Sequence, residues 1–309
     1  MKTIQGTQLN VSPICLGADI FGWKLNEEQS FAILDRFSAC GGNFIDTANV
    51  YARWLPQGLN SSEIILGKWI KRNRDKHPII ATKGCHYNLS NKKSRLNKIC
   101  LQADLDSSLH TLNTEVIDLY YLHRDDPTIE IGEIIELLEE QVRAGKILYY
   151  GASNFTAERL YQANMYAQKH NLTGFSAISN QYSYAKNNFT SSDLDDPTLV
   201  LTTEKELKFH RETQTPLIPY QSTARGFFSK RVHSERLDEF FIKTYQNPEN
   251  DKKFEKLLIK SRQTGFSVQT LSLVALVRSE PFQIIPITSV NNLQQLKDIE
   301  DALLIINRE

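Results

Sequence analysis

Six apolar or β-branched runs in this chain each end on polar or titratable side chains: Asp46, Lys83, His123, Ser153-Asn154, Asn180-Gln181 and Tyr220. A carboxylate, an ammonium, an imidazole and a phenol gathered at one place can pass a proton to or from a bound molecule. The same groups can stabilise charge that develops on an oxygen. Taken singly, a buried Asp or Lys is about as often half of a structural ion pair, and a lone His or Tyr is more often packed with its polar end satisfied. Their recurrence at the same end of successive runs is what points to a site.

The elements that must position them alternate along the chain. Residues 3–11 read as a polar hairpin. Strands are predicted at 15–17, 43–46, 78–83, 116–123, 147–151, 175–181, 215–220 and 283–287. Segments with a helical period lie at 27–40, 61–71, 97–112, 129–144, 156–169, 204–212, 268–277 and 293–305, with Gly41-Gly42 as one stop signal and Ser61 or Ser62 as a candidate N-cap. Strands joined by helices imply right-handed parallel crossovers. About eight such units in one series fit a closed (β/α)8 TIM barrel better than an open sheet, and the strand ends above then share the barrel mouth where such folds hold their sites. Residues 221–252 lack clean periodicity and read as a long loop insertion after strand seven, the kind of segment that often serves as a lid. With no linker or repeat, residues 1–309 are expected to form a single domain.

Composition narrows the function. The chain has 309 residues, 40% hydrophobic and 23% charged, enough for an ample core. Lys and Arg number 36 against 36 Asp and Glu, so the whole carries no basic footprint for a nucleic-acid backbone. No apolar stretch reaches the ~20 residues that span a bilayer. The first residues show no apolar secretory region, and Cys15, Cys40, Cys85 and Cys100 are scattered without C-x-x-C or zinc-ligand spacing. These features predict a cytoplasmic protein with free thiols and no metal centre, acting on a small molecule rather than on nucleic acid or a membrane.

The order of short motifs resembles the aldo-keto reductase superfamily over essentially the whole chain. Asp46-Thr47-Ala48-Asn49-Val50-Tyr51 is similar to its D-T-A-x-x-Y motif, Ala81-Thr82-Lys83-Gly84 to its strand-three lysine segment and Leu122-His123-Arg124 to its strand-four histidine segment. Gly151-Ala152-Ser153-Asn154, Asn180-Gln181-Tyr182, and Tyr220 with Ala224-Arg225-Gly226-Phe227 resemble its later segments. Leu-His-Arg and Ala-Arg-Gly-Phe look like the longer-chain bacterial branch. The resemblance implies NAD(P)H-dependent reduction of an aldehyde or ketone to an alcohol. Tyr51 would be the general acid, Lys83 would lower the pKa of that phenol (about 10 when free), Asp46 would hold Lys83, and His123 would orient the carbonyl. Phe21, Trp23 and Trp54, with Tyr51 and His123, would line the substrate pocket. Some members of the superfamily are instead cofactor-sensing subunits of larger assemblies, an alternative that the intact tetrad disfavours.

No G-x-G-x-x-G occurs, so a Rossmann nucleotide turn is not expected. The resemblance implies a nicotinamide cofactor laid across the barrel mouth. Ser153, Asn154 and Gln181 would hold its carboxamide and Tyr220 would stack on its ring. Gly17, Asp46, Gln221, Ser222, Arg225, Gly226, Thr288, Ser289, Asn291 and Gln295 would line the remainder. Two departures stand out. Gln221 replaces the serine that usually follows the tyrosine, and residues 286–296 carry no Lys or Arg, with Gln295 where Arg is frequent. A 2′-phosphate prefers charge-assisted contacts, so NADP is the family expectation with NAD possible. Tyr182-Ser183-Tyr184-Ala185-Lys186 matches the Y-x-x-x-K pair of short-chain dehydrogenases, but residues 1–40 lack the glycine-rich turn that family requires.

Overall fold

The computed structural model describes residues 1–233 and 237–308. It begins with an antiparallel hairpin, β1 (Lys2–Thr3) with β2 (Asn10–Val11). Seven parallel strands follow: β3 (Cys15–Gly17), β4 (Phe44–Asp46), β5 (Ile79–Gly84), β6 (Ile117–Leu122), β7 (Ile147–Ser153), β8 (Ile178–Ser179) and β9 (Ile287–Thr288). Their order is β8-β7-β6-β5-β4-β3-β9, and β9 pairs with β3. The gap between β8 and β9 is closed by Leu217, which bridges Ile178 on one side and Ile284 on the other. The architecture is therefore the α/β barrel that the sequence predicts, with its N-terminal hairpin.

Predicted strand seven appears only as isolated bridges, and predicted strand eight is reduced to a bridge at Ile284 and the two-residue β9, and proline explains it. Pro216, Pro219 and Pro286 have no N–H to donate. Their carbonyls still accept, from Ile178 N at 3.0 Å, Ile287 N at 2.9 Å and Cys15 N at 2.9 Å respectively. The ring closes on acceptors alone at those positions.

Eleven helices are described: α1 (Glu27–Ala39), α2 (Ser61–Arg72), α3 (Lys98–Leu112), α4 (Ile131–Arg143), α5 (Ala157–His170), α6 (Glu204–Thr213), α7 (Phe227–His233), α8 (Glu239–Tyr245), α9 (Pro248–Thr264), α10 (Val268–Val277) and α11 (Leu293–Asn307). Many start on a side-chain cap, as Asn26 does with Gln29 and Thr203 with Glu206 in reciprocal capping boxes. Neither serine caps α2. Asn60 stands at that position without a side-chain cap bond, while Ser62 is buried against Thr47 Oγ1 and Ala18 O, each at 2.7 Å. None of the described helices is long and apolar enough to cross a membrane.

The segment 221–252 is a correction. Apart from residues 234–236, which lie outside the described residues, it is mostly helical, holding α7, α8 and the first turn of α9. Its helices bury Phe227, Phe228, Phe241 and Tyr245 against Leu257, Val268 and Leu271 in a satellite core. Seven-residue helices complete only about two turns, too few for a period to show.

The interior has two layers. Ile4, Leu9 and Val11 of the hairpin region pack with Phe44, Leu119, Tyr121, Ile218 and Ile285 inside the ring. Leu34, Leu66, Leu105, Leu138, Leu160 and Leu303 from the helices cover its outside. The hairpin thus plugs the N-terminal end of the barrel and leaves the C-terminal end for chemistry.

Candidate active site

The C-terminal mouth holds a cleft of about 770 Å³ that reaches from Trp54 and Tyr51, past Tyr220, to Gln295 and Asp298. At its floor Asp46 ends β4 and Lys83 lies within β5. The Lys83 ammonium donates to Asp46 Oδ1, to the Thr47 carbonyl at 3.0 Å and to the Tyr51 hydroxyl at 3.2 Å. The loop after β4 is held beside β5 by backbone bonds from Thr47 N to Ala81 O and from Asn49 N to Lys83 O, each 2.9 Å. That tether is what returns Tyr51 to Lys83.

Electrostatics follow from burial. Asp46 and Lys83 are each 2% exposed. Burial opposes the Lys83 ammonium, but Asp46 and Tyr51 outweigh it and hold its pKa well above the ordinary lysine value. Burial raises the Asp46 carboxyl to about 6 against the pull of Lys83. Lys83 does pull the phenol of Tyr51 down, as the sequence leads one to expect. Burial is larger, however, so the net movement is upward to about 12. Tyr51 is therefore protonated throughout the neutral range, in the form that can donate.

His123 follows β6, with its ring 5.9 Å from that of Tyr51 at 83°. Burial first, then Arg124, His86 and Lys83, press its pKa well below the usual histidine value, so the ring is neutral. Its Nδ1 is buried without a protein partner among the described residues. A neutral imidazole with one N–H to give suits a carbonyl oxygen.

The other predicted residues divide by placement. Tyr220 lines the cleft and donates its hydroxyl to Asn154 Oδ1 at 2.7 Å, which leaves its ring facing a ligand. Asn154 lines the cleft too, but its side chain is spent inside the protein. It donates to His123 O at 3.2 Å and Ser153 Oγ at 3.1 Å, and it also accepts from Val200 N at 3.2 Å. Ser153 Oγ donates to Ser179 O at 2.8 Å. Gln181 is outside the cleft lining, its backbone bridging Leu201 and Tyr220. Gly17 lines the cleft, and a Cβ there would sit 2.4 Å from Ser289 Oγ and 3.1 Å from Ile287 Cγ2, so a side chain would turn Ser289 away and crowd the seam. Gln221, Ala224, Arg225 and Gly226 all have positive φ, coiling the chain tightly where Gln221, Ser222, Arg225 and Gly226 meet the cleft. Ser222 Oγ donates to Ile287 O at 2.6 Å, and Asn291 N donates to Gln295 Oε1 at 2.8 Å. Thr288, Ser289, Asn291 and Gln295 line the far end with Asp298, and no Lys or Arg lies among the lining residues from Ile287 to Ile299.

Trp54 lines the cleft, 47% exposed, edge-on to Tyr51 at 6.4 Å and to Trp23 at 6.0 Å. Trp23 stands behind it on the rim. Phe21 is 1% exposed and belongs to the core between sheet and helices. Asp19, Lys24, Arg124 and Leu199 line the cleft without having been singled out from the sequence. Arg124 follows His123 directly and donates to its carbonyl at 2.8 Å and to Thr198 Oγ1 at 2.9 Å. The same strand-end rule, carried one or two residues further, finds Asp19 and Arg124. Leu199 comes from the long stretch after β8, where no pattern marks it.

Residues 13–307 match the family model described as the aldo/keto reductase family. Norsolorinic acid reductase B of Aspergillus parasiticus is 30% identical over 96% of this chain and 78% of its own length. A putative aryl-alcohol dehydrogenase of Saccharomyces cerevisiae is 29% identical over 96% of this chain and 80% of its own. An uncharacterised oxidoreductase of Bacillus subtilis is 35% identical over 57% of this chain and 56% of its own.

Proposed function

Because this chain belongs to the aldo/keto reductase family, we propose that it is a cytoplasmic, single-domain reductase converting aromatic aldehydes or ketones to alcohols with a nicotinamide cofactor. One observation carries the reading: a protonated, buried Tyr51 hydroxyl lies 3.2 Å from Lys83 Nζ, itself anchored on Asp46, beside a neutral His123. The aromatic preference rests on the Trp23–Trp54–Tyr51 edge contacts at the rim and on relatives named for aryl alcohols and for norsolorinic acid. Placement in the longer-chain bacterial branch rests on Leu122-His123-Arg124 and Ala224-Arg225-Gly226-Phe227.

The cleft suits a dinucleotide: a bare Gly17 seam, a coiled polar turn at 221–226 and an aromatic face at Tyr220. When bound, the cofactor supplies the hydride. Tyr220 would meet the nicotinamide face. Ser153 would hold the carboxamide with its remaining lone pair; Asn154 would join only by exchanging a present partner, and Gln181 only by turning into the cleft from outside its lining. Gln221, Ser222, Arg225 and Gly226 would meet the phosphates, and Thr288, Ser289, Asn291 and Gln295 the adenosine half. His123 orients the substrate oxygen. As the C–H bond forms at the carbonyl carbon, the Tyr51 O–H proton passes to the oxygen. Lys83, held by Asp46, stabilises the phenolate left behind.

Turnover tests the reading: nicotinamide absorbance should fall when aromatic aldehydes are added to the protein and NADPH. Tight cofactor binding with no turnover on any aldehyde would favour the regulatory-subunit alternative. With no cation among its lining residues from 287 to 299 and Asp298 beside Gln295, the adenosine end gives a 2′-phosphate little to grip. The ratio of kcat/KM for NADPH over NADH should stay below about 100-fold, or ~2.7 kcal/mol. A larger ratio would overturn that expectation.

The pH dependence has a defined sign. Asp46 titrates at about 6, so below that pH it takes a proton and Lys83 loses its counter-charge. Reduction should decline with a midpoint near 6 as pH falls. It should stay flat through the neutral range, because Tyr51 loses its proton only at about 12. A kcat/KM profile that shows no acid limb between pH 5 and 7 would contradict this (about one unit either side of the Asp46 value).

A further inference from the structure

Glu63, in the first turn of α2, is 0% exposed yet forms no ion pair among the described residues. Burying a carboxylate without a cation is costly, and a position that served packing alone would be filled more cheaply by an apolar side chain. Its two oxygens are met by neutral donors instead. Oε1 accepts from Thr82 Oγ1 at 2.6 Å, and Oε2 accepts from Asn60 Nδ2 at 2.7 Å and Asn49 Nδ2 at 3.5 Å. Ser108 is a further hydrogen-bond partner, and burial raises the carboxyl against these bonds and against the attraction of Arg53, the nearby cation, which forms no ion pair with it among the described residues.

The identity of the partners matters. Thr82 immediately precedes Lys83 on β5, and Asn49 lies two residues before Tyr51 in the loop after β4. The carboxylate therefore spans the two segments that bring the ammonium and the phenol together. Next to it, Ser62 holds Thr47 from the same helical turn at 2.7 Å. The backbone bonds of Thr47 and Asn49 fix this loop along the strand. Behind it Asn49 Nδ2 also lies 3.2 Å from Ser108 Oγ, 3.3 Å from Ser107 Oγ and 3.4 Å from Asp104 O, so Glu63 reaches the loop both directly and through Ser108, a partner it shares with Asn49.

We propose that Glu63 is a positioning residue for the proton transfer, its carboxylate clamping the Asn49 loop to Thr82 and so setting the reach from Lys83 to Tyr51. This rests on the reading of Tyr51 as the acid. A misplacement of the order of 1 Å at a reacting group can cost about 100-fold, so the clamp has leverage on rate without touching substrate.

The test uses the full chain with NADPH and an aromatic aldehyde. Glu63→Gln keeps the volume but removes the charge and replaces one acceptor oxygen with an NH2 that faces the donor of either Thr82 or Asn60. Because Thr82 and Asn60 bond different oxygens, the single Gln NH2 opposes one of these donors while the remaining oxygen keeps the other. The change should lower kcat by about 10- to 100-fold and displace the pH profile of kcat, with cofactor Kd and aldehyde KM within about 2-fold of wild type. Thr82→Val removes the shortest of the bonds and should move kcat and the profile in the same direction. The double variant should be no slower than the worse single, since both break one link. A merely structural role would lower the Tm and the active fraction while leaving the pH profile in place, and that result overturns the proposal. If Glu63→Gln does not fold, Thr82→Val decides: an unchanged kcat and profile overturn it. A Tyr51→Phe protein run alongside separates the failures. If it is active, the acid assignment and this proposal fall together. If it is inactive while Glu63→Gln and Thr82→Val behave as wild type, only the clamp falls.

Discussion

Tyr51→Phe should reduce kcat for carbonyl reduction by about 1,000-fold, within the range for removing a positioned general acid. The substitution deletes one oxygen from a residue whose hydroxyl bonds, among the described residues, only to Lys83, at 3.2 Å. Lys83 keeps Asp46 and the Thr47 carbonyl, so the ion pair survives and the fold should be nearly unaffected. Cofactor affinity should change by less than about 2-fold, or ~0.4 kcal/mol, because Tyr220, Ser222 and Ser289, proposed to meet the cofactor, make their bonds elsewhere. Hydride donation remains available, so some slow reduction with water as the proton source should persist. The measurement pairs cofactor titration by fluorescence quenching with single-turnover rates. Loss of rate with retained binding supports the assignment. A variant that keeps more than about a tenth of kcat would remove Tyr51 from the acid role, since the smallest loss typical of such a group is ~100-fold.

The tetrad was legible because each member obeys a rule that sequence can express. Asp46, Lys83 and His123 stand at or just beyond strand ends in a series that implies a barrel, and Tyr51 lies one short loop further. What sequence reading missed has physical reasons. The strands at 215–220 and 283–287 carry Pro216, Pro219 and Pro286, so a β-branched run there did not become a full ladder. The helices of 221–252 are too short for a period and are held by aromatic packing on α9 and α10, which is long-range information. Asn154 sits where a cofactor contact is expected, yet its amide is consumed by His123, Ser153, Tyr220 and Val200, and no local pattern announces that. The sign of the Tyr51 shift was misjudged for the same reason: Lys83 is visible in the sequence, whereas burial of the phenol is not. Glu63 reads as an ordinary charged residue near a helix start until Thr82 and Asn49 are seen to converge on it.

Lys83→Met should be damaging twice over, and the two losses can be told apart. For stability, it leaves the Asp46 carboxylate 2% exposed with its only ion-pair partner among the described residues gone. Oδ2 already lacks a hydrogen-bond partner among the described residues. Breaking a buried pair in this way costs about 3–5 kcal/mol. The loss must depend on pH. Without Lys83 the Asp46 carboxyl rises beyond its present value of about 6, so the folded state takes up a proton that the unfolded chain, with an ordinary carboxyl, releases. Stability then falls as pH rises from the ordinary carboxylate range up to that raised value, levels off above it, and recovers on acidification. Urea midpoints for wild type and variant should therefore diverge more at pH 8 than at pH 5. A pH-independent gap would mean that lost packing, not the orphaned charge, is responsible. Adding Asp46→Asn removes the charge and should restore much of the midpoint at pH 8. Activity should not return with it. Lys83 is the cation that draws the Tyr51 phenol down against burial, and without it the phenolate left by proton transfer has no counter-charge, so kcat should fall by at least ~100-fold in both variants. Recovery of rate in the double variant would show that Lys83 serves only to neutralise Asp46. Recovery of stability alone identifies it as the group that makes Tyr51 an effective acid.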